Sequence, residues 1–127
     1  MATIDADSHM IETDATWKYM EGPDAKYKPF SVISESDPSR KFWIIEGKAR
    51  NRGGNVGRDA LKECRELTDV PARLRHMDEL GTDIQVIYPS IWTSVIFSQS
   101  DCELAICRSY NRFMADVWRQ GEGRLRW

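Results

Sequence analysis

Cysteine is scarce in this chain and poorly spaced for paired chemistry. Cys64, Cys102 and Cys107 are odd in number and form no C-x-x-C, so neither a disulfide framework nor a zinc knuckle is expected, and a reducing cytoplasm fits best. No apolar run is long enough to span a membrane, and the first twenty residues carry Asp5, Asp7, Glu12 and Asp14 where a signal peptide would be apolar. Neither sign of charge is in excess. The 18 basic and 20 acidic residues are interspersed, for a net charge of -2, which removes the electrostatic case for binding nucleic acid or an anionic membrane. Histidine occurs only at His9 and His76. Internal repeats and low-complexity segments are absent.

What is present suits one globular domain, since 127 residues are ample for one packed core and too few for two ordinary ones. Residues 1–23 read as a first strand, Thr3 to His9, then a brief helix through Trp17 to Met20 capped by Thr13 or Asp14 and ended by Gly22-Pro23. Residues 24–67 read as an inserted unit. Phe30 to Ile33 and Phe42 to Ile45 form a hairpin across Ser36-Asp37-Pro38-Ser39, Asn51 to Gly57 forms a Gly-rich linker, and Asp59 to Leu67 a short helix.

Residues 68–127 are more regular. Thr68 or Asp69 starts a helix that tolerates Pro71 in its first turn, places Val70, Leu74 and Met77 on one face, and stops at Gly81. Ile84 to Tyr88 is a nearly continuous apolar run, the pattern of a parallel strand covered on both faces. Ser100-Asp101-Cys102-Glu103 reads as a capping box for a long helix in which Leu104, Cys107, Tyr110, Met114 and Val117 recur at helical spacing. Arg124 to Trp127 begins a third strand. Alternating strands and helices with right-handed crossovers predict a parallel sheet.

Asp7 and His9 lie two apart near the end of the first strand, so they share a face and can grip one ion together. A carboxylate with an imidazole suits zinc, manganese or iron, but such a site needs further ligands. Taken alone, D-x-H is more often a hydrogen-bonded polar pair than a ligand set. His76, on the polar side of a helix far from His9, is expected to be a surface or packing residue. Gly53-Gly54-Asn55-Val56-Gly57 does not fit G-x-G-x-x-G and reads as a hinge.

Several blocks carry a resemblance: Ile4-Asp5-Ala6-Asp7-Ser8-His9, Trp17, the run from Arg75 through Gly81-Thr82-Asp83 to Pro89-Ser90, Ser109-Tyr110-Asn111-Arg112, and Gly123-Arg124-Leu125. In this order they resemble the amidohydrolase-related metal-dependent hydrolases and decarboxylases. The chain is similar to the branch that contains aminocarboxymuconate-semialdehyde decarboxylase and the dihydroxybenzoate decarboxylases. The resemblance implies an α/β fold, the N-terminal part of a TIM (β/α)8 barrel, with the hairpin inserted between strands one and two. It also implies a divalent metal at the C-terminal mouth, zinc first with manganese or iron as alternatives, held by Asp7 and His9 as a variant of H-x-H with an acidic first ligand.

A full barrel needs roughly 200 residues or more, so the family's remaining ligands, a histidine and an aspartate, and its acid-base groups are expected beyond Trp127. The chain is expected to be an N-terminal fragment, inactive alone. Its whole would be a hydrolase or nonoxidative decarboxylase acting on a small organic acid, aromatic acids included, or a related substrate. The alternative is a noncatalytic or split subunit docking to a polypeptide that carries the rest of the barrel. Glu12, Trp17, Ser90 and Trp92 are candidate substrate-side residues, Ser90 and Trp92 because they follow strand two at the end where barrel sites are built. A covering position over the core is the alternative for Trp92, and a solvent-facing loop position the alternative for Glu12. Tyr110-Asn111-Arg112 reads as structural. The long inserted hairpin is a candidate lid or a contact in a homodimer.

Overall fold

The computed structural model describes residues 1–52, 59–93 and 95–127. Its strands and helices are β1 (Ile4–Met10), β2 (Phe30–Ile33), β3 (Lys41–Ile45), β4 (Lys48–Asn51), α1 (Lys62–Glu66), α2 (Val70–Glu79), β5 (Ile84–Pro89), α3 (Ser100–Gln120) and β6 (Leu125–Arg126). The expected hinge from Gly53 to Gly57 lies outside the described residues. Two three-stranded sheets form. One is parallel, in the order β1-β5-β6, and the other antiparallel, β2-β3-β4. The described residues make an open parallel sheet rather than a closed barrel, and none of their helices is long and apolar enough to cross a membrane.

Local chemistry sets α2. The Asp69 side chain accepts from Ala72 N at 2.9 Å, and Pro71 sits in the first turn where its missing N–H costs nothing. At the other end Gly81 takes φ +66°, Thr82 N donates to Met77 O, and Gly81 N donates to Asp78 O. This pair of bonds satisfies carbonyls that the helix leaves free.

Four expectations need correction. Residues 14–19 form successive i→i+3 turns, with Trp17 N on Asp14 O and Met20 N on Trp17 O, rather than a helix. The inserted hairpin has a third strand, β4, because Glu46 (φ 51°) and Gly47 (φ 71°) turn the chain back in two residues with positive φ, the turn whose twist matches a hairpin. Ser100 does not cap α3. The N-cap position is Gln99, and the Glu46 carboxylate in the β3–β4 turn fixes the approach to the helix, accepting from the backbone N–H groups of Ser98 and Gln99 and from the Ser98 hydroxyl. Finally, β5 is covered on one face only: Gln85 and Ile87 are buried while Tyr88 is 46% exposed.

The covered face carries the core. Met10 and Ile87 of the sheet join Met77 of α2 and Ile106, Tyr110 and Met114 of α3. Leu104, expected on this seam, is exposed, and Phe113 is buried instead. The antiparallel sheet is tied in by Trp43, which meets Trp17 edge to face at 6.0 Å, both side chains fully buried.

Candidate active-site cleft

The register between β1 and β5 slips by one residue. Asp5 lies opposite Gln85 and Ser8 opposite Ile87, so Ala6 and Asp7 together oppose one residue of β5, a β-bulge. Its effect on side chains is decisive. Asp5 and Ser8 both end on the covered face, where Ser8 Oγ donates to Asp5 Oδ2 at 2.5 Å and Gln85 Nε2 donates to the same oxygen at 3.1 Å. Arg73 from α2, 6% exposed, completes this network through Nε to Gln85 Oε1 at 2.8 Å and Nη1 to the Cys64 carbonyl. The Ser8 hydrogen bond leads in holding the Asp5 carboxyl below its ordinary range.

Asp7 and His9 emerge on the other face. With Ala6, Tyr88, Pro89, Trp92 and Thr93 they line an open cleft of about 480 Å³ beyond the C-terminal ends of β1 and β5. Asp7 Oδ1 and His9 Nε2 are 3.7 Å apart. Two donors that each bind one ion at about 2.0–2.2 Å lie about 3.0–3.5 Å from each other in octahedral or tetrahedral geometry, so the pair is a few tenths of an ångström wider than one ion requires. His9 Nδ1 is buried and makes no hydrogen bond to a described residue, and the nitrogen that faces Asp7 is Nε2. Among the described residues no third His, Cys, Asp or Glu joins them.

The candidate substrate-side residues separate into lining and support. Trp92 lines the cleft, its ring held edge to face on Tyr110 at 5.7 Å and against Phe97 at 6.2 Å. Glu12 and Ser90 support its wall from behind, and Trp17 packs in the core against Trp43. Glu12 is 1% exposed, accepting from Ser90 Oγ at 2.5 Å and from Ile91 N at 3.1 Å. Desolvation pushes its carboxyl pKa up, against those two bonds. Glu12 and Ser90 thus pin the turn Ile91–Thr93, which carries Trp92 and Thr93 into the cleft. His76 stays on α2, away from the cleft lining.

Tyr88 and Thr93 were missed by sequence reasoning. Tyr88 lies opposite His9 in the register, with ring centroids 5.9 Å apart. The available signal was a tyrosine closing an otherwise aliphatic run, a residue that keeps one polar end for a wet surface.

No family model matches the chain, and no curated protein sequence matches it. A crystal structure of an amidohydrolase from Mycobacterium avium subsp. paratuberculosis K-10 is similar, with a TM-score of 0.64 over 98% of this chain at 15% identity. The chain spans 41% of the length of that protein. The likeness is one of fold, and it does not single out the decarboxylase branch that the sequence blocks resemble.

Proposed function

We propose that this chain forms part of a metal-dependent hydrolase or nonoxidative decarboxylase of the amidohydrolase type, the N-terminal strands of a (β/α)8 barrel, with Asp7 and His9 as two ligands of a divalent ion. The observation that carries this reading is their placement. A carboxylate and an imidazole 3.7 Å apart face an open cleft at the C-terminal end of a parallel strand, where barrel enzymes build their sites. Such an ion supplies Lewis acidity, enough to polarise a carboxyl or carbonyl group or to make hydroxide available near neutral pH.

The chain's own residues supply binding and shape. Tyr88 and Trp92 give the cleft flat apolar walls suited to a small aromatic or unsaturated acid, and the Thr93 hydroxyl is held by the Ser90 carbonyl at 2.6 Å. Glu12 and Ser90 keep that wall in place from below. Asp7, with its side chain 96% exposed, is free to turn toward an ion without breaking a core contact.

Equilibrium dialysis against zinc and manganese tests the reading. Weak binding, at most one ion per chain, is expected for the wild type and none for His9→Ala or Asp7→Asn. Unchanged uptake in both variants would overturn it.

A second reading has its own support: Ile4, Tyr88 and Trp127 expose large apolar surface, as a half-barrel would that docks to a chain carrying the remaining strands. Co-purification of such a chain with a histidine and an aspartate at strand ends would favour it.

A further inference from the structure

The antiparallel sheet has an outer edge whose pattern is self-complementary. Ser34 N donates to Arg40 O at 3.0 Å, and below it Ile33, Val32, Ser31 and Phe30 face Lys41, Phe42, Trp43 and Ile44 in turn. Hydrogen-bonded and non-bonded pairs alternate along an antiparallel ladder. Ser34, Val32 and Phe30 therefore bond inward to β3, and Ser31 and Ile33 point their N–H and C=O groups outward. The far side of β3 agrees, because Arg52 N donates to Lys41 O, the alternate set of β3 residues. Among the described residues no backbone or side-chain group takes up the outward groups of Ser31 and Ile33.

This edge lacks the devices that keep strands apart. Natural edges carry an inward charge, a proline or a bulge, whereas Phe30-Ser31-Val32-Ile33 has none within it, and Phe30 and Ile33 are 58% and 59% exposed. The flanks hold the charge. Lys26 and Lys28 precede the strand and Glu35 and Asp37 follow it, all beyond the paired residues. Arg40 near the same end is drawn back over the Phe42 ring at 5.3 Å.

We propose that β2 is the contact through which two copies of this chain pair, antiparallel about a two-fold axis at Val32. A two-fold axis normal to the sheet keeps each side chain on its own face, so residue sums across the seam are even. With Val32 opposite Val32 of the second copy, Ser31 meets Ile33 and both outward N–H groups find outward carbonyls on each side of the axis. Beyond the paired residues the chain leaves the strand at both ends, so the basic flank of Lys26 and Lys28 and the acidic flank of Glu35 and Asp37 of the other copy come to the same end of the seam, without a fixed register. Pro29, just before the paired residues, lacks an N–H and ends the ladder. The two three-stranded sheets become one of six strands, which covers both open edges at once. This is independent of the metal reading and of any catalytic role.

A seam of one strand pair sits at the small end of specific interfaces, and a dissociation constant on the order of micromolar is expected. Sedimentation velocity of the 127-residue chain across a concentration series reads it directly. Ser31→Pro removes an outward donor without touching the β3 ladder and should raise the dimer dissociation constant about tenfold or more. Because that variant could disturb β2 itself, a charge set decides independently. Glu35→Lys with Asp37→Lys should also weaken the dimer, Lys26→Glu with Lys28→Glu should do the same, and the four changes together should restore it. A chain that stays monomeric at hundreds of micromolar, or a dimer indifferent to Ser31→Pro and to both charge pairs, overturns the proposal, and so does a monomer that instead adds an unrelated extended peptide to this edge.

Discussion

The carboxylate of Glu12 and the hydroxyl of Ser90 meet at 2.5 Å, joining the residues just past β1 and β5 across 78 positions of sequence. Glu12→Ala removes the acceptor for both Ser90 Oγ and Ile91 N and is expected to cost about 2 kcal/mol or more, since each buried group left unpaired costs about 1–3 kcal/mol. Urea unfolding followed by far-ultraviolet circular dichroism measures it.

The same residue sets a pH trend. Burial raises the folded-state pKa of Glu12 above its ordinary 4.5, so the folded chain binds this proton more tightly than the unfolded chain does. The contribution to stability is therefore present below about pH 4.5 and is lost as pH rises through the raised folded value. Glu12→Gln, whose Oε1 can still accept from Ile91 N while its amide nitrogen donates to Ser90 Oγ, removes the titration and should gain on the wild type as pH climbs from 4.5 toward 8. A difference that is flat with pH would contradict this account.

Glu46 has the opposite sign. Its carboxyl is held below the ordinary range, first by the Ser98 backbone N–H, and a group of that kind stabilises the fold above its unfolded pKa and ceases to as pH falls. Glu46→Gln should lower the melting temperature at pH 7, and the gap between the two proteins should close in acid.

Trp17 and Trp92 are separated by burial. Trp17 is fully buried against Trp43, and Trp17→Ala should cost about 3–5 kcal/mol. Trp92, half-buried at the cleft, should cost about 1–2 kcal/mol on the area it keeps from water. Parallel urea titrations would show the order, and equal losses would mean that Trp92 is as much a core residue as Trp17.

Arg73 bonds Gln85 and the Cys64 carbonyl through different nitrogens of one planar group. A lysine ammonium cannot serve both directions, so Arg73→Lys should cost about 1–3 kcal/mol for the partner left without a donor. The melting midpoint in guanidinium chloride is the readout.

Features set by near neighbours were legible in the sequence. The α2 boundaries follow from Asp69, Pro71 and Gly81, and the parallel strand from the run beginning at Ile84, because caps, ring constraints and positive φ act within a few residues. Features set by distant partners were hidden. Ser100-x-x-Glu103 is a sound capping box by pattern, yet α3 starts after Gln99, and the approach to it is held by Glu46, more than fifty residues away. Lys48–Asn51 has no strand propensity of its own and is a strand because Glu46-Gly47 folds it onto β3. At the cleft, the facing of Asp7 and His9 followed from a spacing of two, whereas the burial of Glu12 and the presence of Tyr88 depended on which strand lies beside β1.

The bulge in β1 makes the strand's two duties a matter of counting. In a regular ladder of the same seven residues Asp5 and Ser8, three apart, would face opposite sides; because Ala6 and Asp7 together count as one against β5, both return to the covered face. A seven-residue segment thereby anchors itself to the helices with one acid and offers a second acid, two positions later, to the cleft. Sequence drift can exchange side chains along this strand, and the bulge has one residue to spare, but an insertion between Asp7 and His9 would put the two cleft side chains on opposite faces.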